Sequence, residues 1–228
     1  MAERFFVEFR PWKRTHIRDY ADGANKRLRK SGSEKIEVPH MTLYGPSEAK
    51  DLNEIARRIK AVASEYKLVK VKTFEFDYFN NADKKWVVIR VKPNQKLESL
   101  RLKLYQSLRT VSHPQPWDEE PTYKFHVSIG KTVRGNVFTR LRHTVNKWVA
   151  PEIEQFLLRI AIINGQGKIF KEYDLLLGKL FTRSEALSPR VRSNTLKELR
   201  RLLNGSEPST KSSPAPNKVM AFIKKLFS

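Results

Sequence analysis

Two short segments of this chain repeat the order histidine, apolar, hydroxyl, apolar: PHMTLY around His40 and FHVSIG around His126. Residues i and i+2 of a β-strand face the same side, so His40 and Thr42 would project together, as would His126 and Ser128. An imidazole takes up and releases protons near neutral pH, and a hydroxyl donates a hydrogen bond to an oxygen atom. The paired pattern therefore predicts metal-free acid–base chemistry on a phosphate ester.

The pair, and not either motif alone, carries this hypothesis. A single histidine on a strand is more often structural, and His16, His113 and His143 lack a matching motif, so we expect them at the surface or in loops. The absence of cysteine excludes a disulfide, a thiol nucleophile and a cysteine-containing zinc site. Two histidines without a third ligand at a usual spacing do not predict zinc. We expect neither a metal ion nor a cofactor.

The elements that must position the two motifs follow from hydrophobic periodicity. Strands are predicted over 5–9, 34–43, 68–79, 85–91, 123–130, 153–163 and 168–177, and helices over 14–30, 48–66, 97–108 and 136–149. The first helix is basic with few apolar residues and is predicted to be largely exposed. Asn164-Gly165-Gln166-Gly167 predicts a hairpin between the last two strands. This order predicts an α+β domain of two related halves, each containing one motif strand.

The strongly basic composition indicates a polyanionic partner. The chain has 45 Lys+Arg against 24 Asp+Glu, a formal net charge of +21, and such an excess favours nucleic acid or an anionic membrane surface. No apolar run is long enough to span a bilayer, and the first residues lack a signal-peptide pattern. We expect a monomeric, cytoplasmic protein.

Composition divides the chain into four parts. Residues 1–183 form the predicted domain, 184–203 a basic helical extension and 204–217 a disordered linker rich in Pro and Ser. Residues 218–228 would form an amphipathic helix. For this last segment we expect docking to a partner protein or transient contact with an anionic membrane, because the linker argues against its folding back onto the domain.

The two motifs and the PHMTLYGP sequence resemble the 2H phosphoesterase superfamily, and within it the 2′-5′ RNA ligase / RNA 2′,3′-cyclic phosphodiesterase family. The resemblance covers roughly residues 1–183. It implies a bilobal α+β fold with two antiparallel sheets around a central cleft, where both motifs meet one phosphate. It also implies that Lys131, five positions after the second histidine, contacts that phosphate. Tyr44 shares its parity with His40 and is predicted to stack on a base.

The resemblance further implies the reaction. A 2′,3′-cyclic phosphate at an RNA end would be opened to a 2′-phosphate, with His126 as base and His40 as acid, and the reverse reaction would join RNA ends. The residues alone leave the two roles unassigned. Two alternatives stay open: a phosphodiesterase for a small nucleotide (2′-5′ oligoadenylate or a cyclic nucleotide), and an RNA-binding module without turnover on the same fold. The basic charge favours RNA.

Overall fold

The computed structural model describes residues 2–80, 83–120 and 122–205. The strands are β1 (Glu3–Phe9), β2 (Met41–Ala49), β3 (Val69–Asn80), β4 (Lys85–Val91), β5 (His126–Thr132), β6 (Glu154–Leu157), β7 (Arg159–Asn164), β8 (Ile169–Asp174) and β9 (Lys179–Thr182). The helices are α1 (His16–Arg29), α2 (Leu52–Ala63), α3 (Gln95–Leu108), α4 (Pro116–Glu119), α5 (Gly135–Val145), α6 (Arg183–Ala186) and α7 (Pro189–Asn204).

The strands form two antiparallel sheets, which confirms the predicted α+β class. One sheet has the order β2-β1-β7-β8-β9 and the other the order β5-β4-β3-β6. The strands that carry the two motifs, β2 and β5, are each the outer strand of their own sheet, and they contact one another. The two sheets therefore meet along the motif strands.

The order of elements repeats once. The first half runs β1-α1-β2-α2-β3 and the second β4-α3-β5-α5-β6, with the short α4 inserted before β5. In both halves the motif strand pairs antiparallel with the first strand of that half, β2 with β1 and β5 with β4. The repeat explains why two motifs far apart in sequence occupy equivalent places in the two sheets.

The prediction that α1 is largely exposed is wrong. Ile17, Ala21, Ala24 and Leu28 follow one another at helical spacing and are fully buried. Asn25 on the same helix donates to the carbonyl oxygen of Ile129 (3.0 Å) and so ties α1 to the second motif strand. Two of the four apolar anchors are alanines, whose weak hydrophobic signal is easily outweighed by the charged residues around them.

Several predicted boundaries also differ from the structure. Residues 34–40 are not a strand, and the first motif strand instead begins at Met41 and continues to Ala49. Helix α2 begins only at Leu52, where the Asp51 side chain accepts from the amide of Asn53 (2.7 Å) and caps the helix. Strand β9 and the short helices α4 and α6 were not predicted.

The predicted strand 153–163 is in fact two strands in different sheets. Residues of β6 pair with β3, and those of β7 pair with β1, so the chain crosses between the sheets at Leu158. Hydrophobicity is continuous across this crossing because both strands contribute to buried surface. A single apolar run therefore concealed a change of sheet.

Most of the predicted basic helical extension, 184–203, forms α7, which packs against the domain through buried Thr195 and Leu199. Residues 206–217 of the predicted linker and the whole amphipathic segment 218–228 lie outside the described residues. Within the described part of the chain, no helix combines the length and the apolar character needed to cross a membrane.

Candidate active site

The first motif strand carries an extra residue directly after its hydroxyl. Thr42 lies opposite Glu8 of β1. The next register pair joins Tyr44 to Val7, which leaves Leu43 as an extra residue in β2. Such a bulge interrupts the alternation of faces, and Leu43 and Tyr44 are both fully buried as a result. The bulge thus separates the motif from the remainder of the strand.

The second motif strand has the same irregularity at the equivalent place. Ser128 lies opposite Val88 of β4. The next register pair joins Gly130 to Val87, which leaves Ile129 as the extra residue. Both motif strands therefore present histidine and hydroxyl on one face and then bulge, which is a structural equivalence beyond the repeated sequence pattern.

His40 lies immediately before β2 and is held at both ring nitrogens. Its Nδ1 donates to the carbonyl oxygen of Val38 (2.8 Å), because a carbonyl can only accept. Its Nε2 lies 3.4 Å from Oε1 of Glu8. Glu8 is only 3% exposed, and its other carboxylate oxygen accepts from Nε of Arg10 (2.8 Å). A buried carboxylate therefore faces the ring atom of His40 that is available for proton transfer.

His126 has the same backbone anchor but different surroundings. Its Nδ1 donates to the carbonyl oxygen of Lys124 (2.7 Å), which leaves Nε2 as the basic nitrogen of the neutral ring. The Phe79 ring contacts it edge to face, with centroids 4.7 Å apart. Burial lowers the pKa of His126 to about 4, and the charges of His40 and Arg90 act in the same direction. His126 is therefore set to be neutral.

The structure brings the two motifs together. Strands β2 and β5 contact one another, and His40 is close enough to His126 to lower its pKa by charge repulsion. The Tyr123 hydroxyl donates to the carbonyl oxygen of Thr42 (3.2 Å) and so joins the segment before the second motif to the first motif strand. The arrangement offers two imidazoles with opposite electrostatic surroundings, which suits a reaction that needs an acid and a base at once.

The sequence model of the 2′-5′ RNA ligase superfamily matches residues 8–159, which include both motifs. The chain belongs to this superfamily. Its members are 2H phosphoesterases, so membership supports a phosphoesterase or RNA-ligase type of activity. Among curated proteins, none matches the chain significantly.

Several solved structures share features of this fold. Usb1 of Kluyveromyces marxianus is 11% identical, with a TM-score of 0.47 over 80% of this chain and 97% of its own. A structure of the same protein with uridine monophosphate is 13% identical, with a TM-score of 0.46 over 80% of this chain and 96% of its own. E. coli LigT complexed with NADP+ is 10% identical, with a TM-score of 0.42 over 72% of this chain and 88% of its own.

Tyr44, which was predicted to stack on a base, does not lie where a base could reach it. Its side chain is fully buried, its ring stacks on Phe5 with centroids 6.0 Å apart, and its hydroxyl is 2.7 Å from the hydroxyl of Ser112. The predicted base-stacking role is therefore wrong. The parity with His40 that suggested it is broken by the bulge at Leu43.

Lys131 lies opposite Trp86 of β4, two residues before the partner of Ser128. Because β5 bulges at Ile129, this register brings Lys131 to the face of the sheet that carries the motif, which simple alternation from Ser128 would not do. Its Nζ lies 3.7 Å from Oε2 of Glu34. Contact between Lys131 and a phosphate stays a prediction.

Two charged side chains of the site were missed by sequence reasoning. Glu8 faces His40, and Arg90 lies opposite His126 in the β4–β5 register. Arg90 donates from Nη1 to Oδ2 of Asp77 (2.9 Å), while its buried Nε has no hydrogen-bond partner among the described residues. Each stands within an otherwise apolar strand, FFVEF and WVVIRV. A charge inside such a strand was the signal that could have found them.

Among residues 2–80, 83–120 and 122–205, no group of three or more His, Cys, Asp or Glu side chains is arranged to hold a metal ion. The site itself offers two imidazoles, two hydroxyls, the Glu8 carboxylate and the cations near the motif face.

Proposed function

We propose that this chain is an RNA 2′,3′-cyclic phosphodiesterase that works by two-histidine acid–base catalysis and leaves a 2′-phosphate. The observation that carries the proposal is the difference between the surroundings of the two histidines. A carboxylate 3.4 Å from Nε2 complements a protonated ring at His40. Burial lowers the pKa of His126 to about 4 and keeps that ring neutral at physiological pH.

His126 acts as the base and His40 as the acid. Nε2 of neutral His126 takes a proton from water as the water oxygen attacks phosphorus. The bond between phosphorus and the ribose 3′ oxygen breaks, and protonated His40 donates its Nε2 proton to that oxygen. The product carries a 2′-phosphate and a 3′-hydroxyl. The same steps with a 5′-hydroxyl in place of water as the nucleophile break the same bond to the 3′ oxygen and join two RNA ends through a 2′-5′ phosphodiester.

The remaining side chains stabilise the charge that develops on the phosphate. Thr42 and Ser128 share the motif faces with the two histidines, and each hydroxyl donates to a non-bridging oxygen. Lys131 adds a positive charge that offsets the oxygens. No step in this scheme passes through a metal ion.

RNA is the proposed substrate because the net charge of +21 suits a long polyanion better than a small nucleotide. Counterions released from the RNA backbone drive such binding, so affinity should fall steeply with salt. A small nucleotide offers few phosphates and would show a shallow dependence.

The decisive experiment incubates the purified chain, with EDTA present, with an oligoribonucleotide that ends in a 2′,3′-cyclic phosphate, and maps the product end. We expect a 2′-phosphate, formed at the same rate with or without EDTA and lost in His40→Ala and His126→Ala. Turnover of 2′-5′ oligoadenylate or a cyclic nucleotide, but not of this RNA, would identify the small-nucleotide enzyme. Tight RNA binding without turnover of any of these substrates would identify a binding module.

A further inference from the structure

A cavity of about 530 Å³ is lined by Phe9 and Arg10, which follow Glu8 in the chain. It is enclosed by the loop between β1 and α1, by the residues around the β6–β7 crossing, and by α7. Helix α7 lies beyond residues 8–159, the part of the chain that matches the superfamily. This cavity is thus built partly from an element that the family match does not include.

The cavity has an excess of positive charge. None of its described lining residues is acidic, and Lys13, Arg14 and Arg192 make no ion pair with a carboxylate of the described chain. Arg192 is fixed in place: it donates to the carbonyl oxygen of Lys13 (2.7 Å) and its guanidinium lies 4.7 Å from the Trp12 ring centroid. Burial, together with the charges of Arg159 and Arg14, lowers the pKa of Arg192. Like charges held this closely favour an anionic ligand.

The lining of the cavity also includes a residue with an unsatisfied acceptor. Gln155 is 4% exposed, and its Oε1 is buried without a hydrogen-bond partner among the described residues. A buried acceptor of this kind is unfavourable unless a donor reaches it. Leu158 and Leu196 line the cavity as well and make part of its wall apolar. A ligand that fits carries an anion together with a flat apolar group that has an N–H donor.

Arg10 connects this cavity to the active site. Its side chain lines the cavity, and its Nε donates to Glu8, the carboxylate that lies 3.4 Å from His40 Nε2. A ligand in the cavity is therefore separated from the catalytic histidine by two side chains. This separation suits an RNA strand whose reacting end lies at the histidines and whose neighbouring nucleotide lies in the cavity.

We propose that the cavity between the β1–α1 loop, β6–β7 and α7 binds a nucleotide of the substrate strand next to the reacting end. Its phosphate contacts Lys13, Arg14 and Arg192, and its base lies against the leucines with an amino or imino group donating to Oε1 of Gln155. The identification of the ligand as part of a substrate rests on the proposed function; the affinity of the cavity for a nucleotide does not.

Binding is measured by isothermal titration calorimetry of 5′-AMP into the full-length chain carrying His40→Ala and His126→Ala, so that no catalytic imidazole contributes. Lys13→Gln with Arg14→Asn removes two charges, and asparagine tolerates the left-handed backbone at Arg14 (φ 65°). We expect affinity to fall at least tenfold. Lys60→Gln, on the exposed face of α2, is the matched control. Equal affinities in the control and the double variant would overturn the proposal.

Gln155→Met separates binding from folding. Methionine fills a similar volume and removes the unsatisfied acceptor, so the melting temperature should stay unchanged or rise. Affinity for 5′-AMP should nevertheless fall several-fold. A variant that melts as the parent does and binds as tightly as the parent would exclude Gln155 from the site and contradict the assignment of the cavity.

A kinetic assay on the chain with both motif histidines present tests the cavity independently. With a cyclic-phosphate RNA of five nucleotides, Lys13→Gln with Arg14→Asn should raise KM about tenfold and leave kcat unchanged. The slope of log KM against log salt concentration should become shallower by about 0.7 for each phosphate contact that is lost. Lys60→Gln should change none of these. If the chain binds 5′-AMP through the cavity but does not open cyclic phosphates, the proposed function fails and the cavity assignment stands. If the chain opens cyclic phosphates and Lys13→Gln with Arg14→Asn changes neither KM nor kcat, the cavity assignment fails and the proposed function stands.

Discussion

The two motif strands repeat one backbone design with two different electrostatic settings. In both, Nδ1 of the histidine donates to the carbonyl two residues earlier, and the strand bulges directly after the hydroxyl. The difference lies on the neighbouring strands, where Glu8 faces His40 and Phe79 packs against His126. Equivalent histidines thus differ because of residues outside the motifs. Two halves with the same backbone geometry can in this way place two histidines in different environments, one suited to an acid and the other to a base.

Removing either imidazole is expected to have the largest effect, because both halves must supply a proton-transfer group. His126→Ala and His40→Ala should each lower kcat on cyclic-phosphate RNA by about 10²–10⁴-fold. His143→Ala, at an exposed histidine of α5, should leave the rate unchanged. Rates are measured under single-turnover conditions, with melting temperatures as a check on folding. Near-parental activity in either motif variant would rule out the two-histidine mechanism.

The two hydroxyls should matter equally if the halves perform equivalent oxygen-binding roles. Thr42→Val and Ser128→Ala each remove one donor to the phosphate, and we expect kcat to fall by about 10²-fold in each. KM should change little, since the donors act mainly on the transition state. A loss in only one of the two variants would mean that the phosphate is held by one half alone.

Glu8→Gln tests whether the carboxylate beside His40 contributes to the action of His40 as the acid. Without the carboxylate, protonated His40 loses the charged partner that lies 3.4 Å from its Nε2, so kcat should fall roughly tenfold. Glu48→Gln, an exposed position of β2 in the same sheet, is the control. A kcat equal to that of the parent would show that Glu8 does not act on the acid.

The lowered pKa of His126 predicts the smallest and most specific effects, which concern the pH dependence of kcat/KM and of the free energy of unfolding. The acidic limb of kcat/KM should lie near pH 4. The unfolded chain binds a proton to this histidine at about pH 6.5 and the folded chain only near 4, so the free energy of unfolding should fall as pH decreases through this range.

The control for this pH dependence is a matched pair of variants. His126→Gln should make the fall in the free energy of unfolding between pH 6.5 and 4 shallower, whereas His143→Gln should keep the parental slope. Denaturant unfolding at a series of pH values measures both. Identical slopes for the two variants would show that the folded and unfolded chains bind the His126 proton alike.

The local sequence was enough to predict the class of fold, the presence of a strand at each motif hydroxyl and the buried apolar residues beside it, but it placed the start of the first motif strand too early. Met41, Leu43, Val127 and Ile129 alternate with polar residues over short distances, and they are fully buried as predicted. Alternation is a property of neighbouring residues, so it can be recognised without knowledge of pairing. The family resemblance rested on the same short segments and is confirmed by the match over residues 8–159.

The features that only the tertiary structure decided depend on pairing between strands that are distant in sequence. The bulges at Leu43 and Ile129 exist only relative to β1 and β4, and they remove Tyr44 from the site and bring Lys131 to the motif face. The crossing at Leu158 and the position of Glu8 beside His40 likewise follow from register. A sequence states which residues can do acid–base chemistry; which of them becomes acid or base depends on neighbours that folding brings from other strands, because charge and burial act through space.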